Sequence, residues 1–192
     1  VAAKDPGIAL SYAASFVARP DLALVALFFP LWVSKYGQEA LSMSAEEGIA
    51  AAGPILACCF GASLFFAPVI GIISDRFNRV GALAFALGLN TLGYGLTFLI
   101  ADPTAGVMMG VMAIIGMGQV SGVITSQVLI QQQAPAARRG SIIGTFGFMG
   151  ALGIMICSYL GGVLFDGVGP WGPFVMLSVL NGAVALWALT LI

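Results

Sequence analysis

Residues 71–80 read Gly71-Ile-Ile-Ser-Asp75-Arg76-Phe-Asn-Arg79-Val80, and they interrupt two long apolar runs. Upstream, no charge occurs between Glu47 and Asp75; downstream, none occurs from Val80 to Ala101. About 20 apolar residues in a helix cross the roughly 30 Å of hydrocarbon in a bilayer. A short charged hinge between two such runs therefore reads as two membrane-spanning helices joined outside the lipid. Cutting the remainder at charged and turn-forming clusters yields four more runs. The expected helices are Pro6–Ser34, Ala45–Ser74, Val80–Ala101, Thr104–Gln132, Gly140–Phe165 and Trp171–Ile192. Asp5 and Pro6 supply an N-cap and a first helical residue, and Ser44-Ala-Glu-Glu47 is a capping box. The runs are continuous rather than alternating at period two, which argues against a β-barrel. The expected fold is an all-α bundle of six membrane-spanning helices.

Composition agrees. Of 192 residues 60% are hydrophobic and 8% charged, with a mean hydropathy of +1.05; soluble domains carry about 45–50% apolar and about 25% charged residues. So few charges cannot cover a water-soluble globule, which excludes a soluble enzyme. A net charge of −1 offers no basic excess for nucleic acid. The chain has no histidine, which removes His-based triads and zinc sites. Cys58, Cys59 and Cys157 lie inside apolar runs without metal-ligand spacing and read as small buried hydrophobes. No cofactor is expected, and no phosphate-binding loop points to direct use of ATP. The chain opens at Val1 without an initiator Met and is expected to be part of something longer.

Basic residues orient the helices. Lys4 precedes the first; Arg76 and Arg79 join the second to the third; Arg138 and Arg139 join the fourth to the fifth. If all six helices cross, these fall on one side, against Lys35 alone on the other. The positive-inside rule then places both ends in the cytoplasm of a bacterial inner membrane. Trp32 and Trp171, near helix ends, read as interfacial anchors.

The chain also repeats itself. Gly71-Ile-Ile-Ser-Asp75 closes the second helix, and 91 residues later Gly162-Val-Leu-Phe-Asp166 closes the fifth. An odd number of crossings separates the copies, so they face opposite sides. The expectation is an inverted repeat of three helices plus three, residues 1–101 and 102–192, an arrangement common in transporters.

The stretch from Gly71 to Val80 resembles the G-x-x-x-D-R-x-x-R-[RK] signature of the major facilitator superfamily. Gly71, Asp75, Arg76 and Arg79 match, and Val80 stands where a basic residue is usual. Gln133-Ala-Pro135-Ala-Ala-Arg138-Arg139 is similar to that family's second basic loop. The resemblance covers the whole chain and implies one six-helix half of a carrier, with a second half in the same protein. It also implies that Gly71, Asp75, Arg76, Arg79, Arg138 and Arg139 belong to a conformational latch, with Asp75 bound in one access state and released in the other. The fifth helix, Gly153-Ile-Met-Ile-Cys157-Ser158-Tyr-Leu-Gly161-Gly162, keeps only the outer glycines of the G-x-x-x-G-P-x-x-G-G pattern found in the first half of antiporters. This departure, with an opening similar to the approach to a seventh helix, favours the carboxy-terminal half.

Charges inside the apolar runs locate a candidate site. Arg19 lies about 20 Å along the first helix, near mid-membrane, where a charge costs from about 2.5 kcal/mol upward without a partner or water. Pro20 is expected to disturb the helix there. Tyr12, Ser15 and Arg19 share one face, whereas Asp21 points about 200° away from Arg19. The first three are expected to line a solute path, and Asp21 to hold a partner helix or carry a proton. Gln119 and Ser126, seven residues apart on the fourth helix, are expected on the same path. Gly140, Gly144, Gly147, Gly150 and Gly153 are read as a stripe for close helix packing. The partners implied are a small solute, a proton or other coupling ion, and the lipid bilayer. A rival reading is a pore of identical subunits, which calls for a filter sequence or charge rings that the chain lacks. An intramembrane protease would need two mid-span aspartates, and only Asp21 qualifies.

Overall fold

A computed structural model describes residues 5–76 and 78–192. Lys4, one of the basic residues used for orientation, lies outside them. Six long helices follow one another: α1 Pro6–Ala40, α2 Ala45–Arg76, α3 Arg79–Thr97, α4 Gly106–Gln133, α5 Arg139–Gly167 and α6 Gly172–Leu189. A single 3-10 turn, Ala136–Arg138, precedes α5. Among the described residues there is no strand, and all six helices are long and apolar enough to cross a bilayer.

Local chemistry sets the helix starts. The Asp5 carboxylate accepts from the N–H groups of Gly7 (3.0 Å) and Ile8 (3.4 Å), and Pro6 has no N–H to leave unpaired. At α2 the Ser44 hydroxyl accepts from the Glu47 N–H (3.2 Å) while the Glu47 carboxylate accepts from the Ser44 N–H (2.8 Å). This is the reciprocal capping box expected from the sequence.

Helix ends differ from the expectation. α1 runs past Ser34 to Ala40, with the Gln38 amide donating back to the Ser34 carbonyl (3.2 Å) and hydroxyl (3.1 Å). Lys35, Gln38 and Glu39 end the apolar run, but they are good helix formers. A hydropathy cut marks the lipid surface rather than the end of the helix. The chain finally turns at Ser42, in the left-handed region at φ 54°. α1 also stays helical through Pro20 and Pro30.

α1 and α4 form the centre. α1 packs on α2, α4, α5 and α6; α4 packs on α1, α2 and α3; α3 and α6 pack on each other. α2 and α5 keep the most exposed faces, with Phe65 at 81% and Tyr159 at 74% of full exposure. Two large apolar clusters fill the interior. One holds Leu24, Tyr94, Ile115 and Leu177; the other, nearer the basic loops, holds Val17, Leu87, Leu129 and Ala185.

Three expectations need correcting. Only Gly150 and Gly153 of the α5 stripe touch α1: a side chain on them would strike Arg19 and the Phe16 backbone, whereas Gly140, Gly144 and Gly147 have open space. Each three-residue step lags a full turn by about 60°, so the stripe winds off the contact face. Gly71 likewise has nothing within 4 Å, so it does not bring α2 close to a neighbour among the described residues. Trp32 is no interfacial anchor. It is 4% exposed and packs against Phe174 at 5.6 Å between ring centroids, because α1 carries it inside the bundle.

Candidate functional site

Asp21 is completely buried in α1, and amide groups from other helices converge on it. The Asn90 amide of α3 donates to one carboxylate oxygen at 2.8 Å. The Asn181 amide of α6 donates to both, at 3.1 and 3.4 Å, and to the Leu177 carbonyl at 3.0 Å. From α4, the Gln119 amide donates to the Asp21 backbone carbonyl (3.0 Å) and to the Tyr94 hydroxyl (3.0 Å). The Cys59 thiol of α2 approaches the Gln119 carbonyl oxygen at 3.9 Å. These residues form a polar layer between the two apolar clusters. Along α1, Asp21 falls between Val17 and Leu24; along α3, Asn90 falls between Leu87 and Tyr94; along α6, Asn181 falls between Leu177 and Ala185.

The layer can form because glycine lets α3 and α4 meet. A side chain at Gly118 would strike the Asn90 amide. The side-chain oxygens of Asn90 and Asn181 are both buried without a hydrogen-bond partner. Sequence reading missed Asn181. It follows Asn90 by 91 residues, the interval that separates Gly71 from Gly162 and Asp75 from Asp166, and carrying that interval through the chain would have found it.

Arg19 lies apart from this layer. Its guanidinium sits over the Phe146 ring at 5.5 Å from the centroid, its stem rests on Gly150 of α5, and it remains partly accessible. The Ser15 hydroxyl donates to the Phe146 carbonyl at 2.8 Å. Tyr12 packs on the cluster that contains Phe146, Ile142 and Ile130. Tyr12, Ser15 and Arg19 thus share a face, and that face is turned to α5. Ser126 is buried, its hydroxyl donating to the Val123 carbonyl at 3.0 Å. Gln119, besides its three hydrogen bonds, edges an open pocket of about 230 Å³ lined by Leu22, Phe60, Ser63, Val120 and Val123.

At the basic end, a cleft of about 330 Å³ is lined by Asp75, Asn78, Arg79, Val80, Leu129, Gln132 and Gln133. Asp75, Arg76, Arg79 and Arg138 are exposed. Asn78 caps α3 by accepting from the Val80 N–H at 3.0 Å. Arg139 donates to the Gln131 carbonyl at 3.1 Å and ties the start of α5 to the end of α4. Among the described residues no group of three or more His, Cys, Asp or Glu side chains could hold a metal ion.

The chain is 30% identical to magnetosome protein MamH of Paramagnetospirillum magneticum over 98% of its own length and 43% of that protein's. Two MamZ magnetosome proteins, from the same organism and from Magnetospirillum gryphiswaldense, are 28% and 27% identical, each over 98% of this chain and 29% of the relative. The chain therefore spans less than half the length of these curated relatives. The family model for the Major Facilitator Superfamily matches residues 11–192. With six apolar helices and basic loops where that family has them, this integral, multi-pass membrane chain belongs to the Major Facilitator Superfamily of transporters.

Proposed function

We propose that the chain is one six-helix half, the carboxy-terminal one, of a secondary carrier that moves a small polar or anionic solute by alternating access. The observation that carries this reading is Arg19. A guanidinium near mid-membrane costs from about 2.5 kcal/mol upward. A cation–π contact returns about 0.5–2 kcal/mol, and Phe146 supplies that contact for Arg19 among the described residues. Water or an anionic ligand has to supply the remainder. Tyr12 and Arg19, partly accessible at the edge of the α1–α5 contact, border the solute path, and Gln119 reaches it from α4, while Ser15 and Ser126 are buried in helix contacts beneath it.

Two inverted three-helix repeats, residues 1–101 and 102–192, build this half. In support, helix lengths run 35, 32, 19 and then 28, 29, 18. The α2–α4 contact also has its counterpart in α5–α1, and α3–α4 in α6–α1. Both ends face the cytoplasm, with the basic loops. The names of the relatives make a magnetosome membrane a location to examine beside the cytoplasmic membrane.

The test is uptake by the full-length protein in liposomes, screened with small carboxylates and inorganic phosphate. Hydrogen bonds to a charged group are worth about 1.5–3 kcal/mol, so Arg19→Ala should raise KM roughly ten- to a hundredfold, with Arg19→Lys in between. Uptake of an anion with unchanged KM in Arg19→Ala would remove the solute role of Arg19.

A further inference from the structure

We infer that Asp21 is a proton-binding site, built so that both its charged and its neutral form can be hydrogen-bonded without moving a helix. Three observations carry this. First, the carboxyl is wholly buried, and the groups that donate to it are neutral amides, Asn90 and Asn181. Burying an ion without a counter-ion is costly, and amide donors to a charged acceptor offset part of that cost. The two effects oppose each other, which leaves the group able to exchange a proton.

Second, both asparagines keep a buried side-chain oxygen with no partner. When a proton from water adds to a carboxylate oxygen, the new O–H needs an acceptor. Turning an asparagine amide about its Cβ–Cγ bond replaces its N–H donor with that idle oxygen. Asn90 is the one free to turn, since its amide nitrogen bonds Asp21 alone, while the nitrogen of Asn181 is also held by the Leu177 carbonyl.

Third, no charge of opposite sign competes among the groups that face Asp21. The Tyr94 hydroxyl of α3 shares the Gln119 amide with the Asp21 backbone carbonyl, Cys59 of α2 reaches the same Gln119, and Cys157 of α5 is buried in the cluster that holds Tyr94. α4 and α6 contribute the amides of Gln119 and Asn181, and Arg19 on α1 is turned to Phe146. Because Asn90 and Asn181 stand 91 residues apart, at the repeat interval, a proton here acts on both three-helix units together. Resting on the carrier reading, this makes the proton the coupling ion.

Infrared difference spectra of the full-length protein in bilayers, taken across a pH series, read the carbonyl stretch of a buried carboxylic acid directly. The expected result is one titrating band that disappears in Asp21→Asn, a variant of the same shape. In Asn181→Leu, which loses a donor to the charged form alone, the band should titrate roughly one pH unit higher, one unit being 1.36 kcal/mol. Asn181→Ala provides the same comparison should Asn181→Leu fail to fold. A band unchanged in Asp21→Asn, or no band that titrates between about pH 4 and about pH 9, would overturn the proposal. No solute enters the measurement, so its failure leaves the role of Arg19 standing, and a failed uptake test leaves the proton site standing.

Discussion

At the scale of single residues, two charges two positions apart meet opposite surroundings. Arg19 is partly accessible against an aromatic face, while Asp21 is sealed among amides. The glycines follow the same logic of which face a position takes. Gly153 lies directly against the Phe16 backbone, whereas Gly144 has nothing within 4 Å. Gly153→Leu should therefore lower thermal stability in detergent by about 1–3 kcal/mol through overpacking, and Gly144→Leu should leave the melting midpoint unchanged. A matching loss in both variants would contradict the observed α1–α5 contact. Arg19 and Asp21 were legible in the sequence because a charge in an apolar run stands out. Asn181 was not, because an asparagine is common at helix contacts and only the 91-residue interval singles it out. The winding of the α5 glycines was hidden by spacings that look regular along the sequence but drift around the helix.

At the scale of elements, caps and hydropathy made the starts of helices legible and their ends much less so. Asp5, Ser44 and Glu47 act locally, within four residues, so sequence alone reports them. The end of α1 depends instead on where a polar helix stops outside lipid, which hydropathy does not record. α3 has only 19 residues and starts at a side-chain cap from Asn78. Removing such a cap costs about 1 kcal/mol. Asn78→Ala should accordingly speed amide hydrogen exchange in the first turn of α3 by roughly fivefold, with α6 unaffected. Exchange unchanged in that turn would show that tertiary packing, not the cap, holds it.

At the scale of the whole molecule, the polar layer and the basic loops act at different depths. The layer ties α1, α3, α4 and α6 together mid-bundle, and Asp75 and Arg79 share a cleft at one end. In the latch reading, Asp75 gains a partner in the opposite access state, and a bias of a few kcal/mol is enough to matter. Asp75→Asn should insert normally yet slow uptake at least tenfold, measured as initial rate at equal protein in the membrane; an unchanged rate would remove the latch. That the chain is a six-helix membrane bundle followed from composition and from the charged hinge at residues 71–79. How its helices neighbour one another did not, because each presents apolar residues on nearly every side and lipid and protein faces look alike in sequence. The account as a whole depends on Arg19 facing a water-filled path. Arg19→Cys, in full-length protein with Cys58, Cys59 and Cys157 replaced by Ser, can be exposed to a charged, impermeant thiol reagent from either side of sealed liposomes. Modification from both sides, one conformational population at a time, is the predicted result; resistance to that reagent from both sides, with rapid reaction toward a lipid-soluble maleimide, would place residue 19 in the acyl chains and contradict the carrier.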